Sequence, residues 1–208
     1  MPRLASRATL VAALLLSAQT ARAQQLAKAG TIANLPAPVP LDTTGMFQAK
    51  FVRVGDDIFI GGQPTEKALR DLKAQGVTVV VNLRTPEEMK SAVKFDEPAV
   101  IQQLGMRYVY IPMRGNAEFP YSPDAVAKLD EAVRSANGKV LLHCTIAWRA
   151  SHLWAAYLIK DRGVPVETAL ANARAINLMD TMRMGVSGRQ PVEDFLNQAL
   201  PTVGHPPK

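Results

Sequence analysis

One cysteine, Cys144, is all the thiol chemistry that the 208-residue sequence contains. No internal disulfide can form, so the fold has to be held by its core. No run of about 20 apolar residues is present, which is the length a helix needs to span a bilayer, so stable membrane insertion is not expected. Internal repeats and low-complexity blocks are absent as well. The balance of 48% hydrophobic and 20% charged residues is that of one ordinary globular domain with a sizeable core. Acids are fewer than bases, 18 against 24, but the bases form no block interleaved with aromatics, which are only 6% of the chain. Binding to nucleic acid is therefore not expected either.

What is present starts with the N-terminus. Arg3 and Arg7 precede an apolar run of 11 residues, Ala8 to Ala18, and Ala21-Arg22-Ala23 has the small-x-small form that signal peptidase cuts. Residues 1–23 are expected to be a signal peptide, with Gln24 beginning a periplasmic or secreted mature protein. Their removal takes away three arginines and no acids, so the net charge falls from +6 to 21 − 18 = +3. A free thiol is a liability in a disulfide-forming compartment, and its retention there suggests use.

Residues 24–50, with Pro36, Pro38 and Pro40, read as an extended lead-in without helical or strand periodicity. Phe51 to Val54 and Ile58 to Ile60 flank Gly55-Asp56-Asp57 as a short hairpin would. Gly61-Gly62-Gln63-Pro64 turns the chain into a helix capped by Thr65, with Leu69 and Leu72 inward and Gly76 ending it. Val77 to Val81 is a nearly continuous β-branched run, the mark of a central strand covered on both faces. Thr85-Pro86-Glu87-Glu88 is a capping box with proline at the first helical position. Arg84, just before it, either braces that turn or reaches an anion.

Arg107 to Met113 predicts another strand, and Ser122-Pro123-Asp124 the start of a helix whose stripe is Val126, Leu129 and Val133. Further on, Leu153 to Ile159 is apolar almost all round, as in a helix buried on most sides. Val166, Leu170 and Ala173 mark an amphipathic helix, and Gln190 to Leu200 a last short one. Met179, Met182 and Met184 near Asp180 are soft ligands of the kind that hold cuprous copper, but gap-filling packing is their ordinary role. The alternation predicts a three-layer α/β sandwich over residues 51–200, with a central, mainly parallel sheet of four or five strands. Residues 201–208, with His205, are expected to be a flexible tail.

Within this frame one stretch stands out. Lys139 to His143 reads as a buried strand, and Thr145 to Ser151 runs without Gly or Pro into a helix. Cys144 sits on the joint, and Arg149 follows five positions later, where a tight turn returns its guanidinium over the thiol. The intervening N–H groups then form an anion nest at a helix N-terminus. A thiol attacks as the thiolate, which a helix N-terminus and neighbouring positive charge stabilise. The planar fork of an arginine suits two oxygens of a phosphoryl group. His143 is placed to orient or polarise the thiol. A buried cysteine is commonly just a small hydrophobe. What distinguishes this one is its place at the C-terminal end of a strand, where sheet-and-helix proteins put ligands.

This loop, together with Val77 to Leu83 and Gly62-Gln63-Pro64-Thr65, resembles the compact dual-specificity-like cysteine phosphatases of bacteria. The likeness is to the phosphatase-like domain of beta-lactamase-hydrolase-like proteins, in which a Cys-x4-Arg loop replaces the longer Cys-x5-Arg loop. The resemblance runs from about Phe51 to Leu178. It implies hydrolysis of phosphomonoesters, protein or small molecule, through a phosphocysteine on Cys144, with no metal or other cofactor. Arg149 and the loop residues Thr145, Ile146, Ala147, Trp148 and Ala150 would bind the phosphoryl oxygens. The family protonates the leaving oxygen with a loop aspartate, but none occurs between Pro112 and Pro123, so Glu118 is the available acid and Asp124 the other candidate. Two further departures are Ala147, where the family has glycine, and Ala150, which displaces the usual hydroxyl to Ser151. A rhodanese-like sulfurtransferase shares the four-residue spacing, and a degenerate oxyanion-binding module is the third reading.

Overall fold

The computed structural model describes residues 35–179 and 188–201. The expected signal peptide, residues 180–187 with Asp180, Met182 and Met184, and His205 in the tail lie outside the described residues. The chain divides into two units, Met1–Leu35 and Pro36–Lys208, and the second carries the fold. Among the described residues no helix is long and apolar enough to cross a membrane.

The strands are β1 (Pro38–Pro40), β2 (Phe51–Val54), β3 (Ile58–Gly61), β4 (Val77–Asn82), β5 (Arg107–Tyr110) and β6 (Lys139–His143). They form one sheet in the order β1-β2-β3-β6-β4-β5. β1, β2 and β3 pair antiparallel, whereas β3, β6, β4 and β5 pair parallel. The sheet therefore has six strands rather than four or five. The addition is β1, inside the proline-bearing lead-in that carries no strand signal in sequence. Prolines are tolerated there because an edge strand bonds its neighbour on one side only. Residues on β4 are buried on both faces, as the β-branched run predicts.

Helices cover both faces. On one side α1 (Glu66–Ala74) and α3 (Glu97–Gln103) bring Leu69, Leu72 and Ile101 against Val77, Val80 and Leu141. α2 (Pro86–Ala92) lies between them in sequence. The other side carries α4 (Pro123–Arg134), α5 (Trp148–Lys160), α6 (Val166–Ile176) and α7 (Gln190–Leu196). Within α5 every residue from Leu153 to Leu158 is buried, and the helix touches β3, α4, α6 and α7.

The caps follow the sequence. Thr65 accepts from the N–H of Ala68, and Thr85 with Glu88 forms a complete capping box. In α4 the inward residues are Ala125, Val126, Leu129 and Ala132, with Val133 only half-buried. β5 stops at Tyr110, three residues short of the expected strand, although Ile111 and Met113 still donate to the carbonyls of Asn82 and Leu83. Asp96 caps α3, but seven residues are too few to display a helical period in sequence.

Candidate active site

β6 lies between β3 and β4, so its C-terminal end opens onto the loops that follow both neighbours. Cys144, 1% exposed, is the first residue past β6, and its N–H donates to the carbonyl of Gly61. The next carbonyls are fastened from outside the loop. Thr145 accepts from the N–H of Gln63 at 2.9 Å and Ile146 from Nδ2 of Asn177 at 2.7 Å. Gly62 pairs with Ile146 where two backbones close on each other. A Cβ at Gly62 would lie 1.7 Å from the carbonyl oxygen of Gln48 and 2.7 Å from that of Thr145, so only glycine fits.

Ala147 then turns the chain with φ 66° and ψ 2°, the left-handed conformation that the nest requires. It forms the N-cap of α5 with no side chain able to cap it. The first intrahelical bond runs from the N–H of Ser151 to the carbonyl of Ala147, which leaves the N–H groups of Trp148, Arg149 and Ala150 without acceptors in the helix. Three donors thus face the joint that carries the thiol, at the positive end of a helix of 13 residues.

Arg149 is 8% exposed and heavily bonded. Its Nη1 donates to the carbonyls of Leu83 (3.2 Å) and Met113 (2.7 Å) and to Oε2 of Glu88 (2.8 Å). Its Nη2 donates to Oε1 of Glu88 (2.7 Å) and Oγ1 of Thr145 (3.0 Å). Its Nε–H has no protein partner among the described residues. Burial works against the Arg149 charge, but bonded Glu88 and nearby Cys144 outweigh it and hold the guanidinium above its ordinary value. Burial likewise pushes the Glu88 carboxyl up, yet the bonds from Arg149 and the Thr85 N–H bring it down to about 2. Glu88 therefore does two jobs, closing the capping box of α2 and aiming Arg149. The first is legible in the sequence; the second is not.

His143 is fully buried, with Nε2 3.1 Å from Oε1 of Glu97, itself fully buried. Glu97 also accepts from Asn82 and Gln63. Burial raises the Glu97 carboxyl, but the charge of His143 and these bonds keep it below the usual carboxylate range. Arg84 proves to be a brace. It is 2% exposed, and its Nη1 and Nη2 donate to Oε1 of Gln63 and the carbonyl of Glu88.

The remaining candidates are more dispersed. Glu118 is exposed on the loop between β5 and α4 and makes no hydrogen bond or ion pair among the described residues. Asp124 pairs with Lys128 at 2.7 Å on the surface of α4, as a first-turn acid does. Ser151 donates its hydroxyl to the Trp148 carbonyl at 2.7 Å, so it does not replace the hydroxyl that Ala150 lacks. The Trp148 ring rests on His152, whose imidazole burial holds down at about 4. Tyr121, unnoticed in the sequence, is pushed up to about 12 chiefly by burial and also feels the charges of Arg149 and Cys144, which puts it beside the site. Met179, the described member of the methionine group, is exposed.

Solved structures share this fold. A solved putative phosphatase from Shewanella putrefaciens CN-32 is 23% identical, with a TM-score of 0.57 over 73% of this chain and 91% of its own. Tk-PTP in a mutant form is 20% identical, with a TM-score of 0.52 over 72% of this chain and 95% of its own. PTPMT1 is 18% identical, with a TM-score of 0.55 over 71% of this chain and 94% of its own. These likenesses establish the fold. No curated protein sequence matches the chain. Residues 50–160, which hold β2 through α5 and so both the Cys144 loop and its partners Glu88 and Glu97, match the family model of the beta-lactamase hydrolase-like protein, phosphatase-like domain, and the chain belongs to that family.

Proposed function

We propose that the protein is an exported, cysteine-dependent phosphomonoester hydrolase working through a phosphocysteine. The observation that carries this reading is the convergence on one joint of Cys144, the open N–H groups of Trp148, Arg149 and Ala150, and the unbonded Nε–H of Arg149. In the first step the Cys144 sulfur attacks phosphorus and the bond to the ester oxygen breaks, with Glu118 giving that oxygen its proton. In the second, water attacks the phosphocysteine, Glu118 takes its proton, and inorganic phosphate leaves with the thiolate restored. Donors fixed where equatorial oxygens will sit need no reorganisation as charge develops. PTPMT1, which shares the fold, is known in complex with PI(5)P, a phosphorylated ligand of the class this site suits.

A binding module without turnover is the second reading, favoured by the unanchored Glu118 and by a Ser151 hydroxyl committed to the helix. The test is turnover of an aryl phosphate by the purified mature chain, beside thiosulfate plus cyanide. The phosphatase reading expects phosphate release that Cys144→Ser abolishes while phosphate binding persists. Thiocyanate formation would replace it by a sulfurtransferase, and binding without release by a module. Intact mass shows whether the recovered protein begins at Gln24, as export requires; a chain still carrying residues 1–23 would overturn export.

A further inference from the structure

Ala147 stands in a conformation that its own side chain opposes, and nothing beside it in the chain holds it there. At φ 66° an alanine is disfavoured against the negative region by a factor of about five or more. As the N-cap of α5 it has no side chain to bond the first turn, and N-cap residues ordinarily take extended, negative φ. The smallest movement that relieves it is a flip of the Ile146–Ala147 peptide. A peptide is a rigid plane between two soft dihedrals, so turning it over changes ψ of Ile146 and φ of Ala147 and leaves both Cα atoms in place. The fully buried Ala147 methyl need not move. Ala147 would then have an ordinary negative φ, and the Ile146 carbonyl would point the opposite way.

One bond opposes that flip. Nδ2 of Asn177, the residue that follows α6, donates to the Ile146 carbonyl at 2.7 Å, and this oxygen has no other partner among the described residues. A carbonyl only accepts, so the amide has to present its NH2. The neighbouring Thr145 carbonyl is held by the backbone N–H of Gln63, which any residue but proline would supply. Ile146, by contrast, depends on a particular side chain 31 positions away. Its own side chain is 40% exposed and gives the peptide little to lean on. Asn177 lies at φ −169°, extended backbone that any residue adopts, so its own conformation does not demand an asparagine. We propose that Asn177 is a positioning residue for the anion nest: by holding the Ile146 carbonyl outside the loop it keeps the Ile146–Ala147 peptide from flipping, and so keeps Ala147 in the left-handed conformation on which the nest depends. In a flipped loop the Ile146 oxygen would turn inward, where its partial negative charge opposes an oxyanion. The proposal rests on reading the loop as an oxyanion site.

Calorimetric titration of the purified chain with inorganic phosphate tests this without turnover. Asn177→Ala should bind phosphate about fourfold more weakly, because no bond then offsets the cost of Ala147. Beside Ala147→Gly the same substitution should cost less than about twofold, since glycine rests about as readily at positive as at negative φ. An Asn177 that only ended α6 would lower the melting temperature and cost the same factor in both backgrounds, which overturns the proposal. An unchanged affinity overturns it too. Asn177→Leu fills similar space without a donor; it should give the same two factors and decides the matter if the alanine variant does not fold. Crystals of either variant grown without phosphate supply a second readout. Ala147 is expected there at negative φ with the Ile146 carbonyl turned inward, and an Ala147 still left-handed would overturn the proposal. A native chain that binds no phosphate would overturn the oxyanion reading instead, and the conformation of Ala147 in those crystals would still decide what Asn177 does.

Discussion

The loops after β6 and after β5 end at the same edge of the sheet and are built in opposite ways. Residues 144–149 are fixed from outside: Gln63 and Asn177 hold two of the carbonyls, and five hydrogen bonds hold the Arg149 guanidinium. Residues 114–118 are all exposed, and their turn is closed on itself by Phe119, whose carbonyl accepts from Arg114 and Gly115 and whose N–H donates to Asn116. Its ion pair to α2, Arg114 with Glu87 at 3.9 Å, is exposed at both ends and contributes little. Tyr121 alone is pinned, against Phe195 and over Gly115. The loop after β6 is thus preorganised, whereas the loop after β5 is free to adjust. On the function proposed above, such a division would suit an invariant phosphoryl group carried on varied alcohols.

The comparison breaks most severely at Glu88. Glu88→Ala leaves the Arg149 charge buried without its partner, which should cost about 3 kcal/mol of stability and weaken phosphate binding in calorimetry. Acid should do the same to the native chain. A carboxyl held at about 2, against 4.5 when unfolded, contributes fully above pH 4.5, and its contribution is lost as the pH falls through about 2. The variant should lack that acid step in its melting temperatures.

On the looser side, Glu118→Gln should slow hydrolysis of an alkyl phosphate by about 100-fold or more and leave p-nitrophenyl phosphate, whose leaving group needs no proton, nearly unaffected. Equal losses on both substrates would show that Glu118 acts by shape or charge rather than as an acid.

The finest distinction lies inside the rigid loop. Ala147 at φ 66° carries about 1 kcal/mol of strain that glycine would not. Ala147→Gly should therefore bind phosphate up to about fivefold more tightly, with little change in melting temperature because the added unfolded-state entropy opposes the relief. Weaker binding would show that the buried Ala147 methyl, rather than the strain, governs the loop.

Much of the fold was legible because it rests on local physics. The β-branched run at Val77 to Val81, the Thr65 and Thr85 caps, and the strand-to-helix joint at Cys144 all follow from neighbours within a few positions. The family resemblance drew on the same short stretches. Three features did not show. The β1 strand at Pro38–Pro40 has no sequence signal, since an edge position rather than composition makes it a strand. Glu88 looked complete as a capping-box residue, and nothing near it announces an arginine 61 positions away. Glu97 sits on a helix too short to be periodic, yet it meets His143 across 46 positions. By itself the sequence determined the joint that carries Cys144, its nest and the central strand, because spacing and backbone preference are written residue by residue. Only the tertiary structure decided which carboxylates serve Arg149 and His143, because those partners meet only once β6 has been laid between β3 and β4.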